Sequence, residues 1–260
     1  MVGIFGGSGL YELLEGAREV ELETPYGAPS DKIWMGEVGG QQVAFMPRHG
    51  RHHSIPPHRI NFRANLFAMR QVGVTRLLGP CAVGSLKPEI APGHVAVADQ
   101  FVDRTWGRAD TFFEGPEVKH VSAADPYCAE LSLLVATAAQ AQQMPVHRSQ
   151  TMVVIQGPRF SSRAESRWYR EQGWGIIGMT GYPEVILARE LGICYASVAM
   201  VTDYDSGLEG SPDLQPVSHE EVLRVFAANL GRLRQLLLAT VESVPDQRGC
   251  QCQTAAPALP

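Results

Sequence analysis

The densest cationic stretch in the chain is Arg48-His49-Gly50-Arg51-His52-His53. Three histidines could hold a metal ion, but the two neighbouring arginines oppose a divalent cation, and the stretch has no cysteine or carboxylate to complete the ligands. An arginine presents fork-shaped donors that match the oxygens of a phosphate. The residue types therefore favour an anion site, with a solvated basic loop as the alternative.

Two glycine-rich stretches offer further anion contacts. The first, Gly6-Gly7-Ser8-Gly9, follows an apolar run at residues 2–5. It lacks the third glycine of a dinucleotide fingerprint, the lysine of a P-loop and the second glycine of a hydrolase elbow. Its N–H groups and the Ser8 hydroxyl suit a small oxyanion, and a tight turn is the alternative. The second, Gly178-Met179-Thr180-Gly181, precedes a predicted helix whose N-terminus has spare N–H donors.

Asp203-Tyr204-Asp205 ends the apolar run at residues 194–202. Side chains at the C-terminal end of a buried strand lie where α/β proteins bind ligands. An aspartate that caps a turn is the alternative. Two carboxylates do not help to bind phosphate, so this segment predicts contacts to a second, polar, neutral or cationic group.

Elements of an α/β fold must position these residues. Short apolar runs bounded by glycine, proline or aspartate predict strands at 2–5, 43–47, 76–81, 94–98, 151–155, 175–179 and 194–202. Apolar spacing predicts a helix over 58–72, a Leu- and Ala-rich composition predicts one over 128–142, and a proline in the first turn predicts one beginning near 182–184. Capping boxes predict helix starts at Ser162-x-x-Glu165 and Ser218-x-x-Glu221. The alternation predicts a single-domain α/β layered fold over residues 1–244, with a central mostly parallel or mixed sheet flanked by helices. An irregular tail over 245–260 follows.

The overall composition excludes several classes of protein. The chain has 260 residues, and 22 Lys and Arg against 27 Asp and Glu give a formal charge of −5. It therefore lacks the cation excess of a general nucleic-acid binder. The sequence has no apolar run of the ~18 residues that a membrane span needs, and its start has no basic stretch leading into an apolar one. We expect a soluble, cytoplasmic, globular protein of the size of an enzyme, in which any bound phosphate is small and held by a few local groups.

Five cysteines, an odd and scattered number, are unlike a disulfide framework. Two of them form the tail pair Cys250-x-Cys252, which could be a redox or a metal pair. Exposed thiols in an irregular tail are more often neither, and that is the prediction for this pair.

Six short motifs follow one another along the chain. They are Gly6-Gly7-Ser8-Gly9-Leu10, Thr24-Pro25-Tyr26-Gly27, Arg48-His49-Gly50, Gln156-Gly157-Pro158-Arg159-Phe160-Ser161, Met179-Thr180-Gly181-Tyr182-Pro183-Glu184 and Thr202-Asp203-Tyr204-Asp205. This ordered set resembles the trimeric purine nucleoside phosphorylase family over about residues 2–244, and most closely its methylthioadenosine branch. The resemblance implies a nucleoside phosphorylase-like fold. It also implies that inorganic phosphate attacks C1′ of a purine nucleoside with inversion, without a metal or organic cofactor.

The resemblance also implies roles for individual residues. Sugar and base contacts of the family carry over onto Met179, His53 and Phe160. His120 matches a residue that a neighbouring subunit contributes, which implies a homotrimer, or a dimer of trimers, with shared sites. Phosphate contacts carry over onto Ser8, Arg48, His49, Ala82 and Thr180, with Cys81 at a position that is often threonine.

The chemistry of the reaction fits these residues. Cleavage of an N-glycosidic bond builds positive charge on the sugar, which a phosphate dianion beside C1′ stabilises. The departing purine needs a proton or hydrogen bond at N7, which Asp203 can donate if burial raises the pKa of its carboxyl above the usual ~3.9. Asp205 is a candidate to accept from the exocyclic amine of adenine. Two rivals are a nucleosidase that uses water, which the anion contacts oppose, and a catalytically silent nucleoside-binding relative, which Asp203 opposes.

The substrate is less sharply defined at its 5′ end than at its base. Ser161 and Asp203 stand where 6-oxopurine phosphorylases use glutamate and asparagine, which favours adenine. Gly178, however, stands where the methylthioadenosine branch usually has asparagine. The segment that begins at His219 resembles the part of oxopurine enzymes in which a histidine meets the 5′-hydroxyl. The prediction is phosphorolysis of 5′-methylthioadenosine. The alternative is a broader purine nucleoside phosphorylase that accepts adenosine, other 5′-substituted adenosines, inosine or methylthioinosine.

Overall fold

The computed structural model describes residues 1–6, 14, 16–206 and 217–254, which form nine strands and five α-helices. The strands are β1 (Val2–Gly6), β2 (Arg18–Val20), β3 (Ile33–Val38), β4 (Gln41–Pro47), β5 (Arg76–Ser85), β6 (Val95–Arg104), β7 (Val146–Ile155), β8 (Ile176–Gly178) and β9 (Cys194–Asp203). The helices are α1 (Phe62–Gln71), α2 (Ala129–Ala141), α3 (Arg163–Glu171), α4 (Gly181–Glu190) and α5 (His219–Glu242).

One mixed sheet runs through the molecule and closes on itself at one end. Within the described residues the strand order is β2-β3-β4-β1-β5-β8-β7-β6-β9, and β9 also pairs with β5, so the last five strands form a ring. Pairing is parallel for β1–β4, β1–β5, β5–β9, β6–β7 and β7–β8. It is antiparallel for β2–β3, β3–β4, β5–β8 and β6–β9. The predicted α/β fold with a mixed central sheet is confirmed.

Helices cover both faces of this sheet. Successive side chains of a strand point to opposite faces. In β4, Ala44 and Met46 belong to one apolar core, and Val43 and Phe45 belong to another. The first core is completed by α1 and α4, the second by α2 and α5. The strands are therefore buried on both sides, which explains why the inner ones read as continuous apolar runs in the sequence.

The sequence analysis missed β2 and β3, which lie at one edge of the sheet. Strand β2 has three residues and is mostly exposed, and most of β3 is only half-buried. An edge ribbon of this kind lacks the continuous apolar run from which the inner strands were predicted.

The two predicted capping boxes differ in how far they form. At the start of α3, the Ser162 hydroxyl accepts from the Glu165 N–H and the Glu165 carboxylate accepts from the Ser162 N–H. At the start of α5, the Ser218 hydroxyl accepts from the Glu221 N–H. The Glu221 carboxylate pairs instead with Arg224 on the next turn. Both helices nevertheless begin where the sequence predicted.

The segment after α5 is irregular as far as residue 254, but it packs against the domain. The Gly249 N–H donates to Glu130 Oε2 at 2.7 Å, and the Arg248 guanidinium donates to the Gly192 carbonyl at 2.8 Å. Cys250 and Cys252 are half-buried against the core under α2 and α5. The expectation of exposed tail thiols is therefore wrong.

Among the described helices, including the 24-residue α5, none has the length and apolar character needed to cross a membrane.

Candidate active site

A cavity of about 430 Å³ opens where β5, β7, β8 and β9 end and where α4 and α5 begin. Strand ends and helix starts therefore supply most of its walls, as expected for an α/β protein. It brings together eleven of the site residues proposed from the sequence, which are Arg48, His49, His53, Cys81, Ala82, Phe160, Met179, Thr180, Asp203, Asp205 and His219.

Three of the proposed site residues that the structure describes are not among the side chains that line the cavity. The Tyr204 phenol turns elsewhere and donates to the Pro88 carbonyl at 3.2 Å. The Ser161 hydroxyl oxygen is buried, and the Ser161 carbonyl accepts from the Ser206 hydroxyl at 2.7 Å. His120 is exposed on the segment between β6 and α2. Ser8 lies outside the described residues. A direct contact of Tyr204 or Ser161 with a ligand therefore has no support in this arrangement.

Arg48 is held in place by a buried ion pair. Its Nε and Nη2 donate to the two carboxylate oxygens of Glu184, and its Nη1 donates to the Pro80 carbonyl at 2.9 Å. Arg48 is 2% exposed and Glu184 is fully buried. Burial lowers the pKa of Arg48, but attraction to Glu184 outweighs it and holds that pKa above its usual range. These contacts occupy three of the five guanidinium N–H bonds and leave two for a ligand.

A second buried side chain, Tyr195, supports this ion pair. Its hydroxyl donates to Glu184 Oε2 at 2.7 Å. Gly79 makes room for the contact, because a Cβ there would lie 2.1 Å from the Tyr195 hydroxyl oxygen. The sequence analysis did not assign a function to Glu184 or Tyr195. The motif Met179–Glu184 was the only signal for the glutamate, and the tyrosine had none.

His49 is neutral at pH 7. Burial, followed by the charge of Arg48, lowers the pKa of His49 to about 4. Its Nδ1 lies 2.9 Å from the Ile55 carbonyl oxygen, which can only accept, so Nδ1 carries the proton. The Nε2 atom is then an acceptor. The ring stacks on His53 at 4.4 Å, which fixes its orientation toward the cavity.

The start of α4 and the middle of β5 supply polar groups beside Arg48. Thr180 is buried at the N-cap of α4, and its hydroxyl makes no cap bond to the described helix. Tyr182, with φ −114° and ψ 135°, separates this first turn from the regular part of α4, so the group that Thr180 offers to a ligand is its own hydroxyl. In β5, burial raises the pKa of the Cys81 thiol to about 11, and its Sγ lies 3.9 Å from the Ser197 hydroxyl oxygen. Cys81 is therefore neutral, and the backbone at Ala82 is the stronger donor.

Asp203 supplies a carboxyl that can hold a proton near neutral pH. Burial raises its pKa to about 6, although hydrogen bonds from the Thr202 hydroxyl and the Asp205 N–H favour the ionised form. These bonds measure 2.7 and 2.8 Å. Gly84 allows this placement, because a Cβ there would lie 2.8 Å from Asp203 Oδ1. Burial likewise raises the pKa of Asp205, and the nearby Ser166 and Ser161 hydroxyls oppose this shift.

The geometry thus joins fixed anion donors and a protonatable carboxyl at the ends of the strands. A family model described as the phosphorylase superfamily matches residues 1–242, which run from β1 to the last residue of α5. The chain belongs to the phosphorylase superfamily. As a member of it, the protein is an enzyme whose relatives are pentosyltransferases.

Relatives match this phosphorylase over nearly its whole length. It is 52% identical over 264 residues to a purine nucleoside phosphorylase of Streptomyces coelicolor, covering 98% of this chain and 93% of that one. It is 48% identical over 256 residues to an S-methyl-5′-thioadenosine phosphorylase of Nitrosopumilus maritimus, and this match covers 98% of this chain and 95% of that one. A structure of methylthioadenosine phosphorylase from Schistosoma mansoni in complex with adenine matches with a TM-score of 0.89 at 36% identity. The match covers 98% of this chain and 95% of that one. The resemblance predicted from the motifs is confirmed.

The phosphorylase cavity also has an apolar side that the sequence analysis missed. The first turns of α5 contribute Val222, Leu223 and Phe226 beside His219. The sequence places Val222 and Phe226 four positions apart, as on one side of a helix, but this spacing does not show whether they face a core or a cavity. Leu223 is 53% exposed. The start of α5 therefore presents one imidazole and several apolar groups to the same part of the cavity.

Proposed function

We propose that the protein catalyses phosphorolysis of 5′-methylthioadenosine to adenine and 5-methylthioribose 1-phosphate. One observation carries this proposal. A single cavity joins fixed anion donors at Arg48 and Thr180 to a buried carboxyl, Asp203, whose pKa is about 6. Relatives named S-methyl-5′-thioadenosine phosphorylase, 48% identical over 98% of this chain, support the choice of nucleoside.

In the proposed reaction, inorganic phosphate is the nucleophile and no cofactor takes part. The two remaining N–H bonds of Arg48, the Thr180 hydroxyl and the backbone at Ala82 hold the phosphate beside C1′. Ser8, outside the described residues, is assigned to the same phosphate. His49 Nε2 accepts from a protonated phosphate oxygen, which the neutral state of this ring allows.

Bond formation and bond cleavage then occur on opposite faces of the sugar. A phosphate oxygen bonds to C1′ from the face away from the base, the C1′–N9 bond breaks, and its electron pair passes to the purine. The bound phosphate stabilises the positive charge that develops on the sugar. Asp203 donates its proton to N7, and Asp205 accepts from the exocyclic amine. Met179 under the sugar, His53 beside it and Phe160 against the base complete the assignment.

Protonation of Asp203 predicts a pH dependence. Because its carboxyl is protonated below about pH 6, kcat/KM for methylthioadenosine should fall as the pH rises through that value. Asp203→Asn should abolish this descending limb of the plot of kcat/KM against pH. Thr202→Val should move it to higher pH, because the Thr202 hydroxyl favours the ionised carboxylate. Initial rates from pH 5 to 9 at saturating phosphate provide the measurement. A limb that persists in Asp203→Asn would belong to another group, such as the phosphate itself.

The proposed function is tested by base release from methylthioadenosine, adenosine, methylthioinosine and inosine, each with and without phosphate. We expect phosphate-dependent release that is fastest with methylthioadenosine and slow with both oxopurine nucleosides. Adenine release without phosphate would establish a nucleosidase that uses water. Binding without turnover would establish a silent nucleoside-binding relative.

A broader purine nucleoside phosphorylase is the second candidate, and His219 is the observation that favours it. The imidazole lines the cavity at the start of α5. It can hydrogen-bond a 5′-hydroxyl, whereas a thioether is only a weak acceptor. The 52% identical Streptomyces coelicolor relative is named purine nucleoside phosphorylase. Tolerance of adenosine alongside methylthioadenosine is therefore part of the proposal.

We expect His219→Val to lower kcat/KM for adenosine about tenfold, the effect of losing one neutral hydrogen bond of ~1 kcal/mol. The same change should leave methylthioadenosine unaffected or improved, because it adds apolar surface next to Val222 and Phe226. Steady-state kinetics with both nucleosides decide the point. An equal response of the two would show that another group sets the 5′ preference.

A homotrimer, or a dimer of trimers, with shared sites is also part of the proposal, because His120 is assigned to a neighbouring subunit's cavity. His120 is exposed and does not line the cavity of its own chain. Trp106 and Val118, on the same segment between β6 and α2, are 66% and 68% exposed. Burial of these apolar side chains against a second copy would favour assembly. The cytoplasmic location stays a prediction.

A further inference from the structure

Four of the five cysteines meet at one place, although the sequence separates them widely. The Sγ atoms of Cys128, Cys194, Cys250 and Cys252 all lie within 4.8 Å of one another. Cys128 and Cys194 are buried, and the two tail cysteines are half-buried. The fifth, Cys81, lines the nucleoside cavity instead. The proposed phosphorolysis uses none of the four clustered thiols.

The spacing of these sulfurs suits a tetrahedral metal ion. Zinc–sulfur bonds of about 2.3 Å in a tetrahedron place neighbouring sulfurs about 3.8 Å apart. The Sγ atoms of Cys194 and Cys250 are 3.3 Å apart, and the upper limit for the group is 4.8 Å. The Cys194–Cys250 separation is shorter than the tetrahedral value, and no separation exceeds that value by more than about 1 Å, so a small adjustment of side-chain torsions would admit an ion.

Two of the cysteines stand on rigid elements. Cys128 is the N-cap of α2, and its sulfur accepts from the Leu131 N–H at 3.5 Å. Its own N–H donates to the Tyr195 carbonyl at 2.9 Å, which joins the start of α2 to β9. Cys194 is the first residue of β9, and its N–H donates to the Thr75 carbonyl at 3.0 Å. A helix N-terminus and N–H···S bonds both stabilise a thiolate ligand.

The tail brings the other two cysteines to this position through its own contacts. Gly249 and Arg248 bond to Glu130 and to the Gly192 carbonyl, immediately before Cys250. The Arg248 guanidinium also donates to the Gln253 side chain at 2.6 Å, which closes the loop around both cysteines. Contacts immediately before and after Cys250 and Cys252 in the chain therefore hold both cysteines in position, unlike two thiols in an unattached tail.

We propose that Cys128, Cys194, Cys250 and Cys252 bind one zinc ion as a tetrathiolate, at a structural site separate from the nucleoside cavity. Four sulfur ligands select a soft tetrahedral ion, for which zinc and iron are the usual choices. Zinc is assigned because the proposed reaction transfers no electrons. Each thiol loses its proton as its Zn–S bond forms, so binding releases four protons. A closed four-sulfur shell leaves no position for a substrate, so the ion fastens the tail to α2 and β9.

The test measures metal in the full chain, purified under reducing conditions after growth with added zinc. Elemental analysis should find about one zinc per chain. The double variant Cys250→Ser/Cys252→Ser should lose at least nine-tenths of it. Cys81→Ser is the matched control and should keep the full zinc content, because Cys81 lies outside the cluster. Cobalt(II) exchanged into the wild type should show thiolate-to-cobalt charge-transfer absorption that is lost in the double variant.

A second measurement does not depend on the folding of any variant. Chelation of zinc from the wild type should lower Tm by about 5 °C, and zinc but not magnesium should restore it. The proposal is overturned if the wild type holds less than about a tenth of an equivalent of zinc, with the four cysteines recovered as disulfides or as freely alkylated thiols. Iron in place of zinc, or a zinc content unchanged by the double substitution, would also overturn it.

Discussion

Replacing Arg48 by alanine should raise the KM for phosphate roughly 10- to 100-fold, because a charge-assisted hydrogen bond is worth ~1.5–3 kcal/mol. The change should also lower the free energy of unfolding by about 3–5 kcal/mol, since it leaves the fully buried Glu184 without its partner. Both effects follow from the ion pair, which neutralises much of the arginine charge and leaves directed N–H bonds for the ligand. Initial rates at varied phosphate and denaturant titration measure the two effects.

Arg51→Ala is the matched control for this prediction. Arg51 belongs to the same cationic stretch, but it does not line the cavity. Its guanidinium lies 3.4 Å from Glu19 and 4.7 Å from the centre of the Trp34 ring, and the side chain is half-exposed. Its replacement should leave the KM for phosphate within about twofold, since exposed ion pairs contribute only ~0–1 kcal/mol. An unchanged KM in Arg48→Ala would remove Arg48 from the phosphate site.

Because the stability loss could obscure the kinetic effect, Arg48→Lys provides a second comparison. Lysine keeps a positive charge beside Glu184, but its ammonium group lacks the planar, fixed set of N–H donors that the guanidinium presents to a phosphate. We expect this variant to retain more stability than Arg48→Ala and still to bind phosphate weakly. Recovery of the wild-type KM in Arg48→Lys would mean that charge, and not the geometry of the donors, holds the phosphate.

The parts of the fold that could be predicted are those whose signal is local. Inner strands such as β1 and β9 are buried on both faces and therefore read as apolar runs with clear ends. Strand β2 depends on pairing with β3, and β3 on pairing with β4, which no local pattern shows. The apolar face of α5 illustrates a third case. Its capping box predicted the start of the helix correctly, but whether Val222 faces a core or a cavity depends on the neighbouring strand ends.

The same distinction applies to the site. Residues at strand ends, such as Asp203 and Thr180, could be selected because the end of a buried strand is visible in sequence. The support of Arg48 by Glu184 and Tyr195 could not, because it joins elements that are far apart along the chain. The cysteine cluster is the extreme case. Its four members come from the N-cap of α2, the start of β9 and the tail, so their scatter along the sequence gave no sign of a common position.

Replacing Asp203 by asparagine should cost adenine nucleosides far more than oxopurine nucleosides. Asparagine has nearly the same shape, but it has no acidic proton to give to N7, and its amide can donate to a 6-oxo group. The ratio of kcat/KM for methylthioadenosine to that for inosine should therefore fall at least tenfold, where each factor of ten corresponds to ~1.4 kcal/mol. Both values come from initial rates at saturating phosphate.

Thr202→Val separates the proton on Asp203 from the packing around it. The Thr202 hydroxyl donates to Asp203 Oδ2 at 2.7 Å, and valine removes that bond while keeping the carboxyl and nearly the same volume. If the proton on Asp203 is required, the ratio of kcat/KM for methylthioadenosine to kcat/KM for inosine should stay unchanged in Thr202→Val and fall at least tenfold in Asp203→Asn. This contrast follows because loss of the Thr202 bond favours the protonated carboxyl that the adenine reaction uses. If Asp203→Asn lowers kcat/KM equally for both nucleosides, Asp203 is instead a structural residue or one that acts only on the sugar.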